Sequence, residues 1–185
     1  MFDRQGNRKY LNAAERRAFL AAIGKETDKA RRIFYLTLFY TGCRISEALN
    51  LTAQRVDFSQ KCIVFETLKQ RHGGVFRAVP VPDSLADMLG KLLVGVAPDR
   101  RVWRFSRTTA FRMVKGQMIR AGVAGVMAAP KGLRHGFAVA CIAQNIPLPT
   151  IQKWMGHARL ETTAIYLGVS GEEERNFARR LWGSQ

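Results

Sequence analysis

Apolar positions recur with helical spacing over both ends of the chain and switch to strict alternation only once, near the middle. Asn12-Ala-Ala-Glu15 reads as a capping box ahead of Phe19, Leu20 and Ile23, which fall on one helical face. A second helix is expected over 27–40, stopped by Gly42, and a short one over 45–51. The period then changes. Lys61–Thr67 is rich in β-branched and aromatic residues, Val75–Val81 alternates, and His72-Gly73-Gly74 lies between them as a turn. This predicts a hairpin with Arg55–Phe58 as a third short strand, and Pro80 marks an edge or a strand end. Helical spacing returns over 85–94, over 108–121 after Ser106, and over 131–144 behind Pro130. Shorter pieces follow at 149–155 and 160–167, and a second capping box, Ser170-Gly-Glu-Glu173, opens a C-terminal helix. The expected fold is mainly α with a small three-stranded antiparallel β-sheet, an α+β class. Residues 1–185 read as one domain, since no linker, repeat or low-complexity stretch divides them.

Charge changes the picture more than size does. Thirty Lys and Arg stand against 14 Asp and Glu, a formal net charge of +16, spread along the whole chain. A folded domain with this balance meets a polyanion, with nucleic acid ahead of an acidic membrane surface or a ribosomal role. No apolar run reaches the ~18 residues of a membrane span, and the first residues lack the apolar core of a signal peptide. A cytoplasmic setting is therefore expected. Cys43, Cys62 and Cys141 are odd in number and far apart, which argues against a disulfide framework or a structural zinc site.

The chemistry-bearing residues come in a fixed order: Arg44 in TGCRISEALNL, Lys69 after the first hairpin strand, Lys131-x-x-Arg134 in KGLRHGF, Gly156-His157, and Tyr166 in TTAIYL. Arginine pairs suit an anionic phosphorus centre, because a planar guanidinium donates two hydrogen bonds and stays charged. By analogy with oxyanion-hole donors, each contributes on the order of 3–4 kcal/mol to a transition state. Taken alone, Tyr166 reads as a half-buried helix residue with a surface hydroxyl. The ordered combination, with its neighbouring words TGCRISEAL, LRHGFA and MGHA, resembles the catalytic domain of the tyrosine recombinase (phage integrase) family over nearly the whole chain.

The resemblance implies the roles. Tyr166 is the nucleophile, forming a 3′-phosphotyrosyl link that conserves the phosphodiester energy without ATP. Arg44 and Arg134 clamp the phosphate. Lys69 is the general acid for the leaving 5′ oxygen, and His157 donates to a non-bridging oxygen or orients the tyrosine. Lys131 occupies a position where many members carry histidine. A lysine keeps a cationic donor there but serves poorly as a base near neutral pH, which leaves the general base unassigned. His135 reads as a packing residue behind the site, not a replacement base. Glu47, one turn after Arg44, supports its guanidinium. Arg71, Arg77 and Lys153 are expected DNA contacts. No metal and no cofactor is expected, since cationic side chains supply the charge and no carboxylate cluster of the two-metal kind is present.

The expected partner is double-stranded DNA, bound by a homo-oligomer, a tetramer in the family, with accessory DNA-bending proteins and without a membrane. Residues 170–185 form a helix that either folds back or is exchanged between protomers. The family's further N-terminal domain has no room here, which implies a fragment or a naturally short recombinase. Two other readings compete: a DNA-binding accessory protein with a decayed site, and a type IB topoisomerase-like enzyme. The filled catalytic positions argue against the first, and small size with the GHARLETTAIY context argues against the second.

Overall fold

The structure is a computed structural model, and it describes residues 4–67, 74–168, 174–175, 178–179 and 182–183. Helix α1 (Ala13–Gly24) starts from the expected reciprocal box: the Asn12 side chain accepts from the Glu15 amide, and the Glu15 carboxylate accepts from the Asn12 amide. Helix α2 (Lys29–Thr41) is capped by Asp28 and ends at Gly42, whose φ of +59° is the left-handed stop. A Cβ on Gly42 would lie 2.4 Å from the Phe137 ring, so backbone conformation and packing both demand glycine. Helix α3 (Ile45–Leu49) follows at once, with Arg44 as its N-cap residue.

A 3-10 turn (Ala53–Arg55) leads into strand β1 (Val56–Asp57), then β2 (Cys62–Glu66) and β3 (Phe76–Pro80). The sheet is antiparallel in the order β1-β2-β3, with Ile63 opposite both Val56 and Val79. Pro80 ends the outer strand β3, where a missing donor is tolerated. The pleat turns Arg77 and Val79 inward and leaves Phe76 outside beneath the Arg55 guanidinium.

Helices α4 (Asp83–Leu92), α5 (Arg107–Arg120, capped by Ser106), α6 (Pro130–Ala143, proline in its first turn), α7 (Leu148–Met155) and α8 (Glu161–Ala164) complete the fold, and a 3-10 turn (Ile165–Gly168) closes it. The expected elements are thus present to within a few residues. The exception is the segment at 160–167, which divides into α8 and the 3-10 turn. The Ser170–Glu173 box, most of the C-terminal helix, and Lys69, Arg71 and His72 lie outside the described residues. Among the described residues no helix is long and apolar enough to cross a membrane.

Two apolar clusters hold these pieces. The larger spans α1 to α6 and the sheet, with Phe34 packed edge-on against Trp103 and Phe105. Each such ring contributes about 1.5–3 kcal/mol by leaving water. The smaller joins Tyr10, Phe137, Ala138, Ile142, Ile151 and Met155 around the ring of Tyr166. Helix α6 contributes to both, so it carries its polar side chains into the seam between them. Cys43 and Cys141 are buried thiols and Cys62 is partly covered, and all three are free.

Candidate active site

Arg134 leaves the second turn of α6 and is 8% exposed. Its Nη1 donates to the Gly42 carbonyl at 2.8 Å and its Nη2 to the Met155 carbonyl at 2.5 Å, so it ties together the C-terminal ends of α2 and α7. Burial, followed by repulsion from Arg44, lowers its pKa to about 10, and it stays charged at neutral pH. Arg44 is more open. Its Nη1 donates to Glu47 at 2.7 Å with a quarter of the side chain exposed, and its backbone amide closes a box on the same carboxylate at 2.8 Å.

Glu47 is shared. Arg77 donates from Nη2 to Glu47 Oε2 at 2.6 Å, from Nη1 to Thr67 at 3.1 Å and from Nε to the Trp154 carbonyl at 2.8 Å. Burial pushes the Glu47 carboxyl upward, but Arg77 and the hydrogen bonds from Arg44 outweigh it and leave the pKa below the usual range. The expectation that Arg77 meets DNA does not fit this placement. The residue is 5% exposed and its donors face protein acceptors. It braces α3, the end of β2 and the end of α7 against one another. The alternation of β3 carried the signal, since Arg77 shares its strand face with buried Val79.

Gly156 ends α7 with φ +61°, and a Cβ there would lie 2.9 Å from the Arg77 guanidinium. His157 follows, its turn held by Gln152, which accepts the His157 amide and donates to its carbonyl. The His157 ring lies between Arg134 Nη2 at 3.0 Å and Thr163 Oγ1 at 2.9 Å. Arginine only donates, so Nε2 is the acceptor and Nδ1–H donates to Thr163. Burial, Arg134 and Arg44 lower its pKa to about 4, so the ring is neutral. In this arrangement the ring nitrogens are engaged by protein, so donation to a phosphate oxygen requires Nδ1–H to leave Thr163, or Arg134 to let go and Nε2 to gain a proton.

Tyr166 sits in the 3-10 turn and is 1% exposed, where a surface hydroxyl was the simple expectation. Its ring stacks on His157 at 6.3 Å and 11°. Burial raises the phenol's pKa, while the positive charges of Arg134 and then Arg44 pull it back. The hydroxyl is 2.8 Å from His135 Nδ1. His135, expected to pack at or behind the site without replacing the base, therefore touches the proposed nucleophile. Its pKa falls to about 4 through burial and the nearby charges of Lys131, Arg134 and Lys9. Sequence order could not reveal this contact, because it spans 31 positions.

Lys131 is exposed at the start of α6. Lys153 is exposed on α7, beside an open cleft of about 290 Å³ whose walls include Thr67, Phe76 and His157. The structure thus gathers Arg44, Glu47, Arg134, His157 and Tyr166 at one place. Among the described residues no group of His, Cys, Asp or Glu is placed to hold a metal ion.

A model of the phage integrase family matches residues 9–173. The tyrosine recombinase XerA of Thermococcus onnurineus is 32% identical over 177 residues, covering 90% of this chain and 60% of that protein. A crystal structure of XerA recombinase superposes with a TM-score of 0.78 at 26% identity, over 92% of this chain and 64% of that one. The catalytic domain of bacteriophage HP1 integrase shares the fold, with a TM-score of 0.61 at 24% identity over 85% of this chain and 86% of that one. The chain spans about three fifths of the length of the curated relatives it matches.

Proposed function

The chain belongs to the phage integrase family, and from that premise we propose that it cleaves and rejoins double-stranded DNA at specific sites through a covalent 3′-phosphotyrosine on Tyr166. The observation that carries this reading is the chain of contacts that seats the buried phenol beside a fixed guanidinium: Arg134 Nη2 reaches His157 Nε2 at 3.0 Å, and the His157 ring stacks on Tyr166. In-line attack on a phosphodiester puts extra negative charge on the non-bridging oxygens. Cations fixed in place before reaction stabilise that charge without reorganising. Arg134 is fixed by two carbonyls and Arg44 by Glu47.

Lys69 acts as general acid for the 5′ oxygen, and Arg71 and Lys153 contact the duplex backbone. Tyr166 is covered in this structure, so attack requires the residues over it to give way and let the phosphate reach the hydroxyl where it lies against His135. The net charge of +16 supports a steeply salt-dependent grip on DNA. The active assembly is a homo-oligomer, a tetramer on two duplexes, in which the C-terminal segment docks on a neighbouring protomer.

The test is a nicked suicide duplex carrying the sequence that the full chain selects from randomised duplexes. Wild type is expected to form a denaturation-resistant adduct, and Tyr166→Phe none. An adduct that persists in Tyr166→Phe sinks the assignment of the nucleophile. If wild type forms no adduct on any selected duplex, a binding role without chemistry becomes the better reading.

A further inference from the structure

We propose that His135 is a catalytic residue, the proton acceptor for Tyr166, taking over the base duty that Lys131 cannot perform. The inference rests on the phosphotyrosine reading above. Its geometric basis is the 2.8 Å approach of His135 Nδ1 to the Tyr166 hydroxyl. A buried phenolic O–H needs an acceptor, and among the described residues His135 is the partner the hydroxyl has. The other groups around the phenol cannot take its proton. Arg44 and Arg134 are donors only, an ammonium such as that of Lys131 has no free lone pair, and the acceptor nitrogen of His157 already receives Arg134.

The charges facing His135 are Lys131 and Arg134 on its own helix and Lys9 from the N-terminal segment, with the ring of Tyr166 against it and the titratable His157 ring acting on it electrostatically. Burial first, and then these charges, keep it neutral at every pH well above about 4, with an unprotonated nitrogen to accept the phenol. A phosphodiester anion held by Arg134 and Arg44 offsets part of that positive field and makes the ring more basic when a base is needed. A weak acceptor suffices because the phenol loses its affinity for the proton as its oxygen bonds to phosphorus.

The step balances. The phenol's proton moves to Nδ1, the Tyr166 oxygen–phosphorus bond forms, and the phosphorus–O5′ bond breaks, with the 5′ oxygen protonated by Lys69. In rejoining, the 5′ hydroxyl gives its proton to Lys69 and attacks phosphorus. The tyrosyl oxygen–phosphorus bond then breaks, and the His135 imidazolium returns its proton to the phenolate. This cycle requires the resting tautomer to carry its hydrogen on Nε2.

Two measurements test it. The first needs no DNA: ¹⁵N–¹H long-range correlation of the three histidines, assigned by single substitution. The Nε2–H tautomer is expected for His135, with an Nδ1 resonance that moves in Tyr166→Phe. An Nδ1–H tautomer overturns the proposal. The second is the pH profile of adduct formation on the selected suicide duplex for wild type, His135→Gln and His135→Ala. His135→Gln keeps a hydrogen-bond acceptor but cannot take the proton. Both variants are expected to slow adduct formation by about 10²-fold or more and to gain rate with rising pH, and added imidazole is expected to restore His135→Ala in part. A purely packing role gives neither the altered profile nor the rescue. Adduct formation at the wild-type rate or faster in His135→Gln also overturns the base, the faster rate making His135 a restraint on the tyrosine. If wild type itself forms no adduct, the phosphotyrosine reading falls and takes this role with it.

Discussion

The clamp around Glu47 and the pocket around Tyr166 solve the same problem, polar chemistry in apolar surroundings, in opposite ways. In the clamp, charges are buried in pairs: Glu47 lies between Arg44 and Arg77 and stays ionised. In the pocket, buried Tyr166 and half-buried His135 and His157 are uncharged and held by hydrogen bonds, Tyr166 by His135 and His157 by Arg134 and Thr163. One region has its charge in place before a substrate arrives. The other would acquire charge only in the proposed proton transfer. Stabilising a developing anion calls for the first arrangement, and moving a proton calls for the second.

The largest expected effect breaks the clamp. Arg77→Ala leaves Glu47 buried without its closest partner and is expected to cost about 3–5 kcal/mol in chemical denaturation, with adduct formation reduced as Arg44 and His157 shift. Replacing the pair together, as Glu47→Leu with Arg77→Met, is expected to recover most of that stability but not the adduct, since Arg44 then loses its anchor. A double variant that restores both would show that the pairing has no part in the chemistry. Next comes Arg44→Ala. It leaves Glu47 paired with Arg77, so stability is expected to change by about 1 kcal/mol. Adduct formation is expected to fall by about 10²–10³-fold, with duplex binding in gel-shift titration only modestly weaker.

Acidification separates the two regions. His135 and His157 have folded-state pKa values of about 4, below the ordinary 6.5, so the unfolded chain takes up protons first. Their contribution is complete above about pH 6.5 and is lost as pH falls to about 4. For these half-buried rings it is on the order of 2 kcal/mol, read from denaturation midpoints across that range. His135→Gln combined with His157→Gln is expected to flatten this loss. Glu47 is also depressed, so the clamp gives way at lower pH than the pocket. Away from both regions, Asn12→Ala removes the α1 cap at a cost of about 1 kcal/mol and is expected to leave adduct formation unchanged.

Much of this is legible in the amino-acid sequence. The caps at Asn12, Gly42 and Ser106 and the first-turn proline Pro130 punctuate helices because local chemistry decides where a helix starts and stops. The three-stranded sheet followed from one change of period. The candidate site is readable as an ordered set because it resembles the family's motif, and its residue types suit an anionic phosphorus centre. Partnership was harder to read. Arg77 looks like any basic residue of a basic chain until Glu47, 30 positions away, is found opposite it. His135 differs from Arg134 by one position, yet it faces the tyrosine while Arg134 faces two helix ends. Such pairings depend on how distant segments meet, and local spacing carries no information about that.

Gly42 has a consequence for recombinase chimeras. Its carbonyl receives Arg134, and its bare Cα makes room for Phe137, so the end of α2 and the face of α6 fit as one key in one lock. A crossover point between these helices would join a lock from one parent to a key from another. Swapped domains that keep every catalytic letter can still fail at that seam, and Gly42, Arg134 and Phe137 should travel together.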